Sequence, residues 1–168
     1  DVYKRRIPID PCYLTWKAKQ VGLTTRFIDL AGEVNKNIPK WVLEKAEIGL
    51  LNRGLKISES RVLILGMAYK KNVDDLRESP SLELIDILMD KGALVDYCDP
   101  YFSSIPETRK HQIELNSKAL SIKVLQSMDL VLLATDHDDF DYDLIEKEAV
   151  LIVDTRGRFK KSKKVIKA

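Results

Sequence analysis

No run in this sequence comes near the ~20 consecutive apolar residues of a membrane-spanning helix, and its first six residues, DVYKRR, lack the apolar stretch of a signal peptide. We therefore expect no membrane association. A dominant charge is missing too: 28 Lys plus Arg stand against 26 Asp plus Glu, a formal net charge of +2, which argues against a dedicated nucleic-acid binder. Cysteine is scarce. Cys12 and Cys98 have neither metal-ligand spacing nor the density of a secreted disulfide scaffold, which favours a reducing, cytoplasmic setting. With no histidine near either in sequence, each reads as a small buried apolar residue rather than a nucleophile. The chain does not begin with Met, which fits a fragment or a processed protein. What is present is core material. Over 168 residues, 45% are hydrophobic and 32% charged, enough for one domain of ordinary size, or one plus an extra element.

Residues 13 to 57 read as helical. LTWKAKQVG closes on Gly22, and RFIDLAGEVNKNIPKWVLEKAEIGLLNRG closes on Gly54 as a C-terminal glycine stop. In the second stretch Ile38, Val42, Ala46 and Leu50 recur at every fourth position, giving an apolar stripe, while Pro39 either kinks one long helix or starts a new one after Asn37. Such a stripe wants a partner surface, either the domain that follows or a second copy of the chain. We expect a homodimer through the helix of residues 26 to 52.

After Gly54 strands and helices alternate. RVLIL (61–65) is a short β-branched run, SPSLELIDILMDKG an amphipathic helix stopped by Gly92, and LVDYCDP a second strand. Further on, ALSIKVLQSM reads as helix, DLVLLAT as buried strand, DYDLIEKE as helix and AVLIVDT as strand. The expected fold is α/β: a long helical N-terminal segment (residues 1–57), then a Rossmann-like doubly wound parallel sheet (residues 58–168). The Lys-rich end, KKSKKVIKA, reads as a solvated tail.

In such a sheet ligands bind beyond the carboxyl ends of the strands. The first strand is followed by GMAYKKNVDDLRESPS, which is not GxGxxG but a longer loop with one glycine, two adjacent lysines and an arginine. Ser79 can cap the next helix and Pro80 can fill its first turn, leaving amides and a positive dipole end near Lys70, Lys71 and Arg77, a natural place for a diphosphate. The competing reading is a polar loop whose cations pair with Asp74, Asp75 and Glu78. The last strand ends Asp154-Thr155-Arg156-Gly157, placing Arg156 on the same rim, where a guanidinium can grip phosphate or sugar oxygens in bidentate fashion. The stretch DHDDFD (136–141) has metal-ligand residue types, but consecutive side chains seldom converge. We read it as solvated loop and helix capping, with no metal.

Taken in order, IPIDPCYLTWKA, GMAYKKNVDDLRESPS with DYCDP after it, and IVDTRG resemble the UDP-glucose/GDP-mannose dehydrogenase family, most of all its UDP-N-acetylhexosamine 6-dehydrogenase branch. The resemblance runs from Ile7 to about Phe159. It implies the central dimerisation helix and the Rossmann-like UDP-sugar-binding domain of an enzyme that oxidises a sugar C6 alcohol to a carboxylate with two NAD, for polysaccharide precursor synthesis. In the family a nucleophilic cysteine, in a Gly-Gly-His-Cys context, lies immediately before the IPxDP stretch and carries the thiohemiacetal and thioester. Here Arg6 occupies that position, with Arg5 at the histidine and Tyr3-Lys4 at the glycines, and Cys12, beyond the proline, is no substitute. By the same resemblance Asp10 matches an aspartate that assists proton transfer, Tyr69 and Lys70 contact the nucleotide sugar and its diphosphate, Arg156 binds substrate, and Arg77 reaches the NAD pyrophosphate across the domain cleft. The implied NAD domain itself has no counterpart in these motifs. With the nucleophilic cysteine and the NAD domain missing from these motifs, this chain alone is expected to be inactive; the alternative is a nucleotide-sugar-binding or dimerisation module that oxidises nothing.

Overall fold

The computed structural model describes residues 9–77, 79–107 and 110–168, without the side chains of Ile9, Asp10 and Cys12. The expectations placed on Arg5, Arg6 and the side chain of Asp10 lie outside the described residues. The chain divides into two compact units, Asp1–Ile38 and Pro39–Ala168.

In the first unit, helix α1 (Ile9–Gln20) takes Pro11 into its first turn, where a missing amide is harmless. It ends as the sequence predicts: Gly22 adopts φ +75°, and the Leu23 amide turns back to the Ala18 carbonyl at 2.9 Å. The start of α2 (Arg26–Leu51) follows. Apolar side chains stand exposed on its first turns, among them Leu30, Val34 and Phe27, the last 89% exposed.

Pro39 does not end α2, which runs unbroken to Leu51. Past the last turn Gly54 takes φ +74°, its amide donating to the Leu51 carbonyl and that of Leu55 to the Leu50 carbonyl, which satisfies two carbonyls the helix leaves unpaired. The apolar stripe is covered in part by the domain that follows it. Val42, Leu43, Ala46 and Leu50 are buried in the second unit's own core, whereas Ile38 and Trp41 remain partly exposed. A fully buried leucine such as Leu50 contributes roughly 1.5–3 kcal/mol.

The sheet has five parallel strands in the order β2-β1-β3-β4-β5: β1 (Arg61–Leu65), β2 (Leu94–Cys98), β3 (Leu130–Leu133), β4 (Ile152–Asp154) and β5 (Val165–Lys167). Because strand side chains alternate, Val62, Ile64, Leu130 and Leu132 join α2 and α3 (Pro80–Asp90) on one face. Leu63, Leu65, Val131 and Leu133 join α4 (Ile122–Gln126) and α5 (Tyr142–Glu148) on the other. With both faces covered, the β3 run LVLL is apolar throughout and fully buried. From β1 the chain passes through α3 to β2 and returns through α4 to β3 on the opposite side of β1. The crevice beyond the ends of β1 and β3 is therefore the topological switch point.

Two expectations need correction. The Lys-rich end is no free tail: Val165, Ile166 and Lys167 form the edge strand β5, and Val165 is buried. Two apolar residues among lysines are too short a signal, yet they suffice beside a β4 whose edge would otherwise be open. In DHDDFD, Asp141 does cap α5 by accepting from the Leu144 amide at 2.9 Å, but His137 is wholly buried rather than solvated.

Candidate functional site

At the switch point the backbone after β1 closes tightly on that after β3. Gly66 has φ +85°, and a Cβ there would stand 2.3 Å from the Thr135 carbonyl oxygen. Thr135 Oγ1 donates to the Ala68 carbonyl at 2.7 Å. The cap of α3 forms as predicted and is tied in as well: Ser79 Oγ accepts from the Ser81 amide at 3.3 Å and donates to the Met67 carbonyl at 2.6 Å, while Ser81 Oγ donates to the Gly66 carbonyl at 2.9 Å.

Under these loops lies a buried carboxylate. Asp99, just past the end of β2, accepts from the amides of Met67 (2.5 Å), Ala68 (3.2 Å), Tyr101 (2.7 Å) and Phe102 (3.2 Å), and from Nε2 of His137 at 3.1 Å. Burial alone would raise its pKa, but the bonds from His137 and the amides outweigh it and hold it below the ordinary carboxylate value. Nδ1 of His137 in turn accepts from the Asn72 amide at 2.9 Å.

On this frame the loop after β1 presents Tyr69 and Lys70, both half-buried, with the Lys70 ammonium 5.2 Å from the centre of the Tyr69 ring. The Tyr69 amide donates to the Asp75 carbonyl at 2.7 Å, closing the loop's base. Lys71 pairs with Asp138 at 2.5 Å, and Arg77 pairs with Asp75 at 2.9 Å with its side chain 89% exposed. The reading in which loop cations pair with the loop's own carboxylates thus holds for Arg77, whereas Lys71 pairs across to Asp138 in the segment after β3. Hydrogen bonding to Arg77 lowers the Asp75 pKa despite partial desolvation.

Arg156 arrives from β4 but reaches back to β3, its Nε donating to the Ala134 carbonyl at 2.5 Å while the residue stays exposed. Asp154, fully buried, shapes this turn. It accepts from the amides of Arg156 and Gly157 (2.9 Å each) and Phe159 (2.8 Å), and from Lys167 Nζ at 2.5 Å. Burial pushes its pKa up, and these bonds pull it below the usual value. The structure therefore sets Tyr69 and Lys70 after β1 and Arg156 after β4, with the Arg156 guanidinium against the end of the neighbouring β3, and leaves the Arg77 side chain exposed beside Asp75.

Sequence reasoning gave no role to Asp99, Asn72, His137 or Asp154. The signal for the two aspartates was a carboxylate closing a buried strand, where only amides or a cation could satisfy it. Cys98 is buried, which pushes its thiol up to about 11 and removes it as a nucleophile. Among the described residues no group of His, Cys, Asp and Glu could hold a metal ion, and no helix is long and apolar enough to cross a membrane. The sheet does not suit a dinucleotide of its own. Its first turn lacks the glycine pattern that brings backbone to a pyrophosphate, and the acid after β2, which would take a ribose hydroxyl, is consumed by amides and His137.

Known proteins share this fold. The chain is 34% identical over 159 residues to the UDP-N-acetyl-D-mannosamine dehydrogenase of Methanococcus vannielii, covering 90% of this chain and 34% of that protein. It is 29% identical over 156 residues to Protein CapL of Staphylococcus aureus, covering 90% and 36%. The solved structure of the UDP-D-ManNAc dehydrogenase from Pyrococcus horikoshii superposes with a TM-score of 0.73 at 26% identity, over 94% of this chain and 35% of that one. The chain thus spans about a third of the length of these relatives. Residues 63–161, which hold most of β1, the strands β2 to β4 and the loops at their carboxyl ends, match the UDP binding domain of the UDP-glucose/GDP-mannose dehydrogenase family, and the chain belongs to that family.

Proposed function

We propose that this chain is the substrate-binding and dimerisation part of an NAD-dependent nucleotide-sugar 6-dehydrogenase, one that oxidises the C6 alcohol of a UDP-N-acetylhexosamine to a carboxylate for polysaccharide biosynthesis in the cytoplasm. The observation that carries the reading is the placement of Lys70 and Arg156 beside the switch point of a UDP-binding family domain. Lys70 supplies a compact positive charge to a diphosphate. Arg156, with Nε anchored on Ala134, keeps its outer nitrogens for a bidentate grip on phosphate or sugar oxygens, and Tyr69 lies along the nucleotide sugar. Arg77 would meet an NAD pyrophosphate held by another part of the protein, and Asp10 would assist proton transfer there. No described thiol in this chain can carry the covalent intermediate, since Cys98 is buried and held protonated. That observation favours a second reading, a nucleotide-sugar-binding module without its own oxidation chemistry.

Calorimetric titration of UDP, UDP-N-acetylglucosamine and UDP-N-acetylmannosamine into the chain tests the proposal. Binding is expected, weakened about tenfold or more by Lys70→Ala or Arg156→Ala, given the usual worth of hydrogen bonds to charged groups. Lys160→Ala should change nothing. Equal binding by all three variants, or none by the wild type, would remove the site. NAD reduction by the chain alone, followed by nicotinamide absorbance, is expected to stay at background.

A further inference from the structure

The loop that carries Lys70 is fastened at two places. At its base the Tyr69 amide holds the Asp75 carbonyl. At its tip Asn72, in the left-handed conformation with φ 57°, faces the segment after β3. Its side chain bridges Asp138 in both directions, Nδ2 donating to Oδ2 at 2.6 Å and Oδ1 accepting the Asp138 amide at 3.0 Å. Its own amide donates to Nδ1 of His137 at 2.9 Å. The Asp138 carboxylate is 58% exposed, so its contacts compete with water, whereas the His137 side chain is fully buried. The imidazole bond is therefore the one that decides where the tip sits.

The two ring nitrogens have separate duties. A backbone amide can only donate, so Nδ1 must be unprotonated and the proton must be on Nε2, directed at the Asp99 carboxylate. The same carboxylate holds the amides of Met67 and Ala68 at the loop's root. The ring is further fixed by Tyr101, with centroids 4.9 Å apart, and by the edge of Phe140 at 5.6 Å. We infer that His137 is a positioning residue for the nucleotide site: its Nδ1, accepting from Asn72, pins the tip of the β1 loop and so fixes the backbone from which Lys70 meets a diphosphate. This inference rests on the UDP-binding reading given above.

Two amide side chains separate the duties. In His137→Asn the amide oxygen stands about where Nδ1 stood, and in His137→Gln the amide nitrogen stands about where Nε2 stood. Both leave a void, so their thermal midpoints should drop alike. Hydrogen exchange at the Asn72 amide and UDP affinity should nevertheless part: the Asn variant stays within about threefold of wild type in both, while the Gln variant exchanges about tenfold faster and binds about fivefold more weakly, the loss of one shielded bond. Equal behaviour of the two variants, or the reverse order, would overturn the inference. If neither variant folds, nitrogen NMR of wild-type His137 decides: an Nε2–H tautomer with a protected Asn72 amide supports it, and an Nδ1–H tautomer or an Asn72 amide exchanging as fast as that of Asp74 sinks it. Failure of the wild type to bind UDP would refute the parent reading instead, and the exchange data would still report on the clip.

Discussion

Lys167 Nζ lies 2.5 Å from Oδ2 of Asp154, and that carboxylate is fully removed from solvent. The last strand is thereby latched to the turn that presents Arg156, because the other partners of Asp154 are the amides of Arg156, Gly157 and Phe159. Asp154→Asn would set an NH2 group against the Phe159 amide or the ammonium, donor against donor. We expect it to lose about 3 kcal/mol, as when one partner of a buried ion pair is removed. Lys167→Met leaves the carboxylate its amides and should lose less, about 1.5–2 kcal/mol, the worth of a hydrogen bond to a charged group. Urea unfolding measures both, and the opposite order would mean that the latch is misassigned.

Acid should release the same frame. The pKa values of Asp99 and Asp154 are both lowered by folding, so their stabilisation is fully present above the unfolded carboxylate value of about 3.9 and is lost as pH falls through the lower folded values. The contribution of these two carboxylates to the unfolding free energy should therefore be nearly level from about pH 7 to 5 and decline steeply below about pH 4. Asp154→Asn should flatten that decline. Equal stability of the wild type at neutral pH and at about pH 3 would contradict the assignment.

Gly66 and Thr135 approach too closely for any side chain between them. Gly66→Ala meets backbone at 2.3 Å from a residue whose φ is +85°, and neither can be relieved by a rotamer change. The expected loss is at least ~2 kcal/mol, from left-handed backbone strain plus displacement of the β3 loop. UDP binding should weaken with it. A variant as stable as wild type would show that the crevice opens without resistance.

Much of this could be read from the sequence, and the limits have physical causes. RVLIL and DLVLLAT declare buried strands because a parallel sheet covered on both faces needs unbroken apolar runs, and Gly22 and Gly54 mark helix ends because only glycine turns there without strain. Ser79 and Pro80 were legible as a helix start for the same local reason. The Asp99–His137–Asn72 chain was not, since it joins residues from three different loops and its charge is hidden by partners far off in sequence. β5 was missed because its strand character comes from the free edge of β4, not from its own short run.

The buried part of α2 changes how a dimer must be tested. Val42 and Ala46 belong to the core of their own domain, so Val42→Asp would bury an unpaired charge and should lose ~3–5 kcal/mol whatever the oligomeric state. Leu30 and Val34 are exposed, and Asp at either should change the stability of the monomer by no more than about 0.5 kcal/mol. If this helix mediates a homodimer, sedimentation of Leu30→Asp or Val34→Asp at micromolar concentration should give monomers with an undiminished urea midpoint once dissociation is allowed for. Wild type should sediment as a dimer under the same conditions. A monomeric wild type would remove the dimer proposal, and dimers that survive both substitutions would place the contact elsewhere than on the exposed apolar side chains of α2.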